Sequence, residues 1–456
     1  MGSIVQSSNG DWSGTFGYAE QVITPPLGIY SRNWGAAKFD VATDIHRPLL
    51  LQCVVFGEEE RNQKVLITAD LGWWKNNEDE ELLRGAILSH FGLSIDQLLF
   101  CLSHTHAGPS ICSTDSDLPG GEYIKPYLEF LKNAAILSIE RARANLSEVT
   151  LNWSLGVCNL ATNRDLQVDE EFLIGYNPSK DADQTLLVGK VTDLKGNLTA
   201  VICNYACHPT SFAHENTLIS PDYVGAMREL IQSQRGVPTV FLQGASGELA
   251  PKKQYVKDPE IVDANGRELA YAVLATLEKS DRPNTVWDFE GSLLSGAPLA
   301  LWREKVISSS TELLAKEIDV TVPYKCLEPV EEIQQEYERC HDRVLKDRLW
   351  RKLNTRKSIG DRKFAQIPLW IWKLGDAFVV AQPNEAYSAY QRTVRAAFPN
   401  LRIIFVNIAN GYIGYLPPED LYIHDIYAVW QTPYAKGSLE ILIEETIKEI
   451  QTYLDR

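Results

Sequence analysis

The run Leu99-Phe100-Cys101-Leu102-Ser103-His104-Thr105-His106-Ala107-Gly108-Pro109 decides how the rest of the chain is read. Gln97 to Leu102 is apolar enough for a buried strand, and Gly108-Pro109 stops it. In an extended segment, residues two apart point to one face, so His104 and His106 are expected side by side at the strand end. Two imidazoles at that junction are a start on a metal site. The alternative is a strand cap beside a polar turn histidine.

Around this run the composition is that of a globular enzyme: 456 residues, 45% hydrophobic and 23% charged. A formal net charge of -16 argues against nucleic acid or an anionic membrane surface as the main partner. Met1 to Gly10 carries neither a charged n-region nor an apolar h-region, which predicts no signal peptide, and no apolar run is long enough to span a bilayer. The eight cysteines form no Cys-x-x-Cys pair and are expected as free thiols in a cytoplasmic protein. The partner expected is a small-molecule substrate, with no stable membrane anchor; the oligomeric state is not encoded in any pattern.

In chain order, residues 11 to 47 are rich in turn signals and aromatics. Leu49 to Phe56 and Lys64 to Leu71 suggest a hairpin, the second strand ending in Asp70. Asn76 to Phe91 predicts a helix with an acidic first turn, closed by Gly92. A helix follows at about Tyr123 to Ala144, a strand at Val149 to Cys158, and a second hairpin at Thr185 to Asp193 and Leu198 to Tyr205. Asp222 to Gln234 is helical, Val237 to Leu242 a short buried strand, and Pro259 to Glu278 a helix. Trp287 to Pro323 reads as further strands. Glu328 to Leu353 is highly charged and helical, the kind of run that usually forms a solvated face. Pro368 to Trp372 and Ala377 to Ala381 form a hairpin, Asn384-Glu385 starts a helix to about Phe398, Leu401 to Asn407 is a strand, and Ser438 to Leu454 is the last helix. Without repeats, low-complexity tracts or a Pro/Ser linker, the chain is expected to be one α/β domain over residues 1–456, with mixed sheets flanked by helices. Strands repeatedly end in loops bearing Asp, His, Arg, Glu or Tyr, the usual placement of functional groups.

Ser103-His104-Thr105-His106-Ala107-Gly108-Pro109 resembles the Thr-His-Thr-His-Ser-Gly-Pro signature of the neutral/alkaline non-lysosomal ceramidases. Five further segments are similar to that family's motifs, in its order: Asn204 to Ser211, Ser220 to Gly225, Phe241 to Pro251, Pro383-Asn384-Glu385 and Asn410 to Tyr415. The resemblance implies a ceramidase-like catalytic domain in which His104, His208, Glu385 and Tyr415 bind one zinc ion. It also implies that His106 and Arg164 face the substrate carbonyl and that Tyr427 belongs to the pocket. Two imidazoles and a carboxylate independently suit a catalytic zinc that keeps a position open for water, lowering that water's pKa towards roughly 7. His106 is placed to move a proton, and Arg164 to hold a carboxylate or an oxyanion. Simpler readings exist for each: His208 as a strand-end histidine, Glu385 as a first-turn helix acid, Arg164 paired with a structural acid. Trp73-Trp74 fits either a pocket mouth or the core, and His46, His90, His214, His341 and His424 are read as structural or surface residues.

Two departures from the family pattern shape the expected chemistry. Ala250 stands where the resemblance calls for a serine, and Glu248 where it calls for Asp. Alanine cannot attack a carbonyl, so hydrolysis is expected to rest on an activated water, with Ser246 not taking the serine's place. The family's C-terminal immunoglobulin-like domain is not expected after the tyrosine loop. The expected activity is zinc-dependent hydrolysis of an amide in a small acyl-bearing molecule, with an ester or lactone as an alternative bond. True ceramide cleavage and a non-hydrolytic ligand-binding role are the competing functions.

Overall fold

A computed structural model describes residues 11–455, so the reading of Met1 to Gly10 lies outside the described residues. The strands that position the site are β1 (Trp12–Val22), β2 (Leu50–Phe56), β3 (Lys64–Ala69), β4 (Leu98–Leu102), β5 (Ser147–Val157), β6 (Thr185–Asp193), β7 (Leu198–Tyr205) and β8 (Thr239–Gln243). They form one sheet in the order β8-β7-β6-β5-β1-β2-β3-β4. Pairing is parallel at β7/β8 and β3/β4 and antiparallel elsewhere. Beyond them come the hairpin β9 (Thr285–Ser295) and β10 (Ala297–Val306), then β11 (Leu313–Pro323), β12 (Phe364–Leu374), β13 (Ala377–Ala381), β14 (Asn384–Ala386), β15 (Arg402–Val406) and β16 (Gly414–Leu416). Strands β11-β12-β13-β15 make a second sheet, and β14 pairs with β16.

The helices are α1 (Asn77–Phe91), α2 (Ile124–Ala144), α3 (Tyr223–Arg235), α4 (Pro259–Glu278), α5 (Val330–Arg339), α6 (Arg343–Ile359), α7 (Ala389–Ala397), α8 (Tyr427–Gln431) and α9 (Ser438–Leu454). Helices α1 and α2 cover one part of the first sheet's outer face, burying Ile87 and Leu131, and α3 and α4 cover the rest with Met227 and Leu269. Its inner face packs on the second sheet, where Trp12, Leu151 and Leu242 meet Trp370, Trp372 and Val379. Helices α7 and α9 close the far side with Val394, Leu439 and Ile450. The result is a four-layer α/β/β/α architecture, the mixed α/β class expected from the sequence. Each large apolar side chain buried between layers contributes about 1.5–3 kcal/mol.

Two local expectations are corrected. Residues 12–22 are not turn-rich but form β1, a strand in the middle of the first sheet. Gly14 and Gly17 interrupt its apolar alternation because a Cβ on either would meet the Trp12 ring or the Ala142 carbonyl. The charged stretch after Glu328 is helical as expected, in two helices separated where Asp342 caps α6 by accepting from Leu345 N at 2.7 Å. Asn384-Glu385 opens no helix; both residues lie on β14, and α7 starts only at Ala389.

The curled first sheet brings its edge strands β4 and β8 into contact. The loop after β15 fastens their ends together. Asn407 N donates to Gln243 O at 2.9 Å, Leu102 N to Ile408 O at 3.1 Å, and Asn410 N to Phe100 O at 2.9 Å. The Asn410 side chain also accepts from Phe100 N at 2.7 Å and donates to Leu98 O at 2.8 Å. Ile408 and Asn410 hold φ of 55° and 51°, costing of the order of 1–3 kcal/mol each. Six of the eight cysteines are buried free thiols, whereas Cys326 is exposed and Cys340 half-buried. Among the described residues no helix is long and apolar enough to cross a membrane.

Candidate metal and active site

Strand β4 stops at Leu102, and His104 sits in the left-handed region at φ 69°. The two histidines therefore converge through a backbone reversal and not through strand alternation, with ring centroids 4.9 Å apart. His104 N donates to Leu71 O, and its Nδ1 donates to Gly72 O at 3.0 Å. His208 follows β7, and its Nδ1 donates to Ser246 O at 2.6 Å and lies 3.1 Å from Leu249 O. A carbonyl can only accept, so each Nδ1 carries the proton and each Nε2 turns a lone pair inward.

Both Nε2 atoms meet Glu385, whose Oε2 lies 2.7 Å from His208 and 3.2 Å from His104. Its Oε1 accepts from the Tyr412 hydroxyl at 2.7 Å. Tyr415 also hydrogen-bonds Glu385, and Arg164 Nη2 donates to the Tyr415 oxygen at 3.0 Å. Burial, then Arg164, pulls His208 down to about 3 and keeps it neutral, the form a metal requires. Burial, then His104 and His208, likewise depresses His106.

His104, His106 and His208 each offer a ring nitrogen within 4.8 Å of the others, the spacing of a metal site. His104 Nε2 and both nitrogens of His106 have no hydrogen-bond partner among the described residues. Lone pairs and a carboxylate converging out of water are costly unless a cation lies among them, so the donor set fits a divalent metal. By this geometry His106 is a candidate ligand as well as a candidate proton carrier.

Arg164 is more committed than its expected role implied. Its Nη2 donates to Gly247 O at 2.8 Å, its Nε reaches the same oxygen at 3.2 Å, and Nη2 lies 3.1 Å from His208 Nε2. It thus braces Tyr415 and His208. Tyr427 sits edge-on to Tyr415, centroids 5.7 Å apart. Ala250 is fully buried, and its carbonyl accepts from Thr162 Oγ1. The Ser246 hydroxyl is occupied by Gln243 Nε2 at 2.6 Å. Glu248 accepts from Ser388 N and the Ser388 hydroxyl, anchoring the turn that follows Glu385.

Sequence reasoning missed part of the pocket wall. The His106 ring lies against Trp73 and Trp34, with centroids at 4.9 Å and 5.3 Å, and Tyr255 packs edge-on to Trp34. Of the Trp73-Trp74 pair, only Trp73 faces the site; Trp74 is core, against Phe100. Tyr412 carried no signal beyond its tyrosine-rich loop.

A four-layer α/β scaffold with a buried histidine–carboxylate centre at its strand ends is the class that the fold and the site define. Residues 34–246 match the family described as neutral/alkaline non-lysosomal ceramidase, N-terminal. It is 26% identical over 218 residues to the neutral ceramidase of Drosophila pseudoobscura pseudoobscura, covering 46% of this chain and 30% of the relative. It is 27% identical over 165 residues to that of Pseudomonas aeruginosa, covering 34% and 24%. The matched stretch thus spans less than a third of either relative. The crystal structure of the Pseudomonas aeruginosa neutral ceramidase superposes with a TM-score of 0.68 at 16% identity, covering 97% of this chain and 75% of that one, a likeness of fold. Glu385 and Tyr415 lie beyond the residues matched by the family, and the fold alone brings them to the histidines.

Proposed function

We propose that this chain is a zinc-dependent amidohydrolase that cleaves an amide in a small acyl-bearing molecule with water as the nucleophile. The observation that carries the reading is the convergence of two inward Nε2 atoms on one buried carboxylate, 2.7 Å and 3.2 Å away. His104, His208, Glu385 and Tyr415 would hold the ion. A divalent ion there supplies Lewis-acid polarisation of a carbonyl and an acidified water. His106, on the open side between Trp34 and Trp73, takes a proton from the attacking water and returns it to the leaving nitrogen. Arg164 keeps the Tyr415 oxygen and His208 Nε2 in place, and Tyr427 borders the acyl pocket. The partial match to the ceramidase family supports an amide as the scissile bond, with an ester or lactone as the alternative. Ala250, lacking a hydroxyl, supports direct hydrolysis without an acyl-enzyme. We read the chain as one domain, and its free thiols support a cytoplasmic setting.

The test is metal analysis of the purified protein, followed by chelation, zinc readdition and a panel of short-chain amides, esters, lactones and ceramide. Small amides hydrolysed only by the zinc-loaded protein are expected. Full turnover after complete metal removal, or a clear preference for ceramide, would overturn the reading.

A further inference from the structure

Helix α6 is a basic roof over the candidate site. Its seventeen residues carry Arg343, Lys346, Arg348, Arg351, Lys352, Arg356 and Lys357 against a single acid, Asp347, in a chain of net charge -16. It is fastened to both walls of the pocket. On one side, Arg343 donates to Ala37 O at 2.9 Å, Val344 packs on Gly35, and Asp347 pairs with Arg32 at 3.0 Å. That loop carries Trp34, the wall beside His106. On the other side, the Arg348 guanidinium lies 4.2 Å from the ring of Trp430, which stacks on Tyr427, the neighbour of Tyr415.

Arg351 is four residues from Asp347 and three from Arg348, so it lies on the same helix face one turn further along. Burial works against its charge, while the oxygens of Tyr427, Tyr412, Asp347 and Tyr415 favour it, and three of those four belong to the site. Among the described residues Arg351 has no ion pair and no hydrogen bond. A half-buried guanidinium without a partner forgoes charge-assisted hydrogen bonds that a planar anion would supply. Arg164, by contrast, spends its donors on Gly247, Tyr415 and His208.

We propose that Arg351 is the anion-binding residue of the pocket and that the substrate is an amide bearing a carboxylate close to the scissile bond, such as an N-acylated amino acid. The proposal rests on reading the centre as an amide hydrolase. The surrounding basic face of α6 draws such an anion towards a protein that is otherwise negative.

Binding separates this claim from turnover. The probe is the ketone isostere of N-hexanoylglycine, with a methylene in place of the amide NH, compared with the same ketone ending in an alcohol. By calorimetry the full chain is expected to bind the carboxylate roughly 10- to 100-fold more tightly, the scale of hydrogen bonds to a charged group. Arg351→Met should abolish that preference and Arg351→Lys retain part of it. Equal affinity in the unmodified protein overturns the proposal, as does an unchanged preference in Arg351→Met. Hydrolysis of N-hexanoylglycine and of N-butylsuccinamate, each beside its uncharged counterpart, shows on which side of the bond the carboxylate lies. Discrimination in binding without hydrolysis of any amide would leave the anion site standing and remove the hydrolase reading. Hydrolysis without discrimination would do the reverse.

Discussion

Glu385 and Tyr415 stand directly opposite each other as register partners across the parallel pair β14 and β16. They lie thirty positions apart in the sequence, with α7 and β15 between them. The pairing fixes the acid and the phenol as one unit, which Tyr412 bonds at Glu385 Oε1 and Arg164 bonds at the Tyr415 oxygen. Replacing Glu385 by Gln removes the charge that two inward Nε2 atoms face. We expect one zinc per chain in the unmodified protein, and little in Glu385→Gln, His104→Ala or His208→Ala, read by elemental analysis. Full occupancy in both histidine variants would exclude these residues as ligands.

His106 has two ring nitrogens without partners and the open side of the cluster. His106→Ala is expected to retain zinc and lose on the order of 10²–10⁴-fold in turnover, as for removal of a general acid–base group. Loss of the metal together with activity would instead make His106 a ligand, which its distance from His104 and His208 also permits.

No hydroxyl stands at Ala250, and that of Ser246 is engaged by Gln243. Protein trapped during turnover should therefore carry no acylated peptide by mass spectrometry, and product formed in oxygen-18 water should take its new oxygen from solvent. Ser246→Ala should stay active. An acylated Ser246 would contradict the direct-water route.

Burial, opposed by the two Ser388 donors, pushes the Glu248 carboxyl up to about 7 from an ordinary 4.5. The folded state thus holds a proton that the unfolded chain releases. Its contribution to stability is complete below pH 4.5 and declines as pH rises from 4.5 to about 7. Glu248→Gln should remove this decline, so the stability difference between variant and parent shifts in the variant's favour across that interval. Parallel pH–stability curves for the two proteins would show that Glu248 does not titrate there.

Asp70, the acid ending β3, is structural. It makes a bidentate pair with Arg228 of α3, one contact being 3.0 Å, and accepts from Leu50 N at 2.8 Å. Asp70→Ala strands a buried guanidinium and should cost about 3–5 kcal/mol in denaturant unfolding. A cost below ~1 kcal/mol would mean that water reaches Arg228.

Where structure is held by neighbours in sequence, the sequence alone determined it. Pro259 to Glu278 and Ser438 to Leu454 are helices at the expected residues, the first because Asp258 caps it by accepting from Glu260 N and Pro259 suits its first turn. The hairpins through β2/β3 and β6/β7 follow from apolar runs joined by polar turns. The motif order put His104, His106, His208, Glu385, Tyr415 and Arg164 on one candidate list. What each does depended on partners far along the chain. The left-handed turn at His104, Glu385 on a strand opposite Tyr415 and the bracing of Arg164 by Gly247 were decided by tertiary structure. Hydrogen-bond periodicity and caps act over a few residues and leave a pattern in the sequence. Convergence of loop ends is set by how a curled sheet, a second sheet and a roof helix pack together, and no local pattern records it.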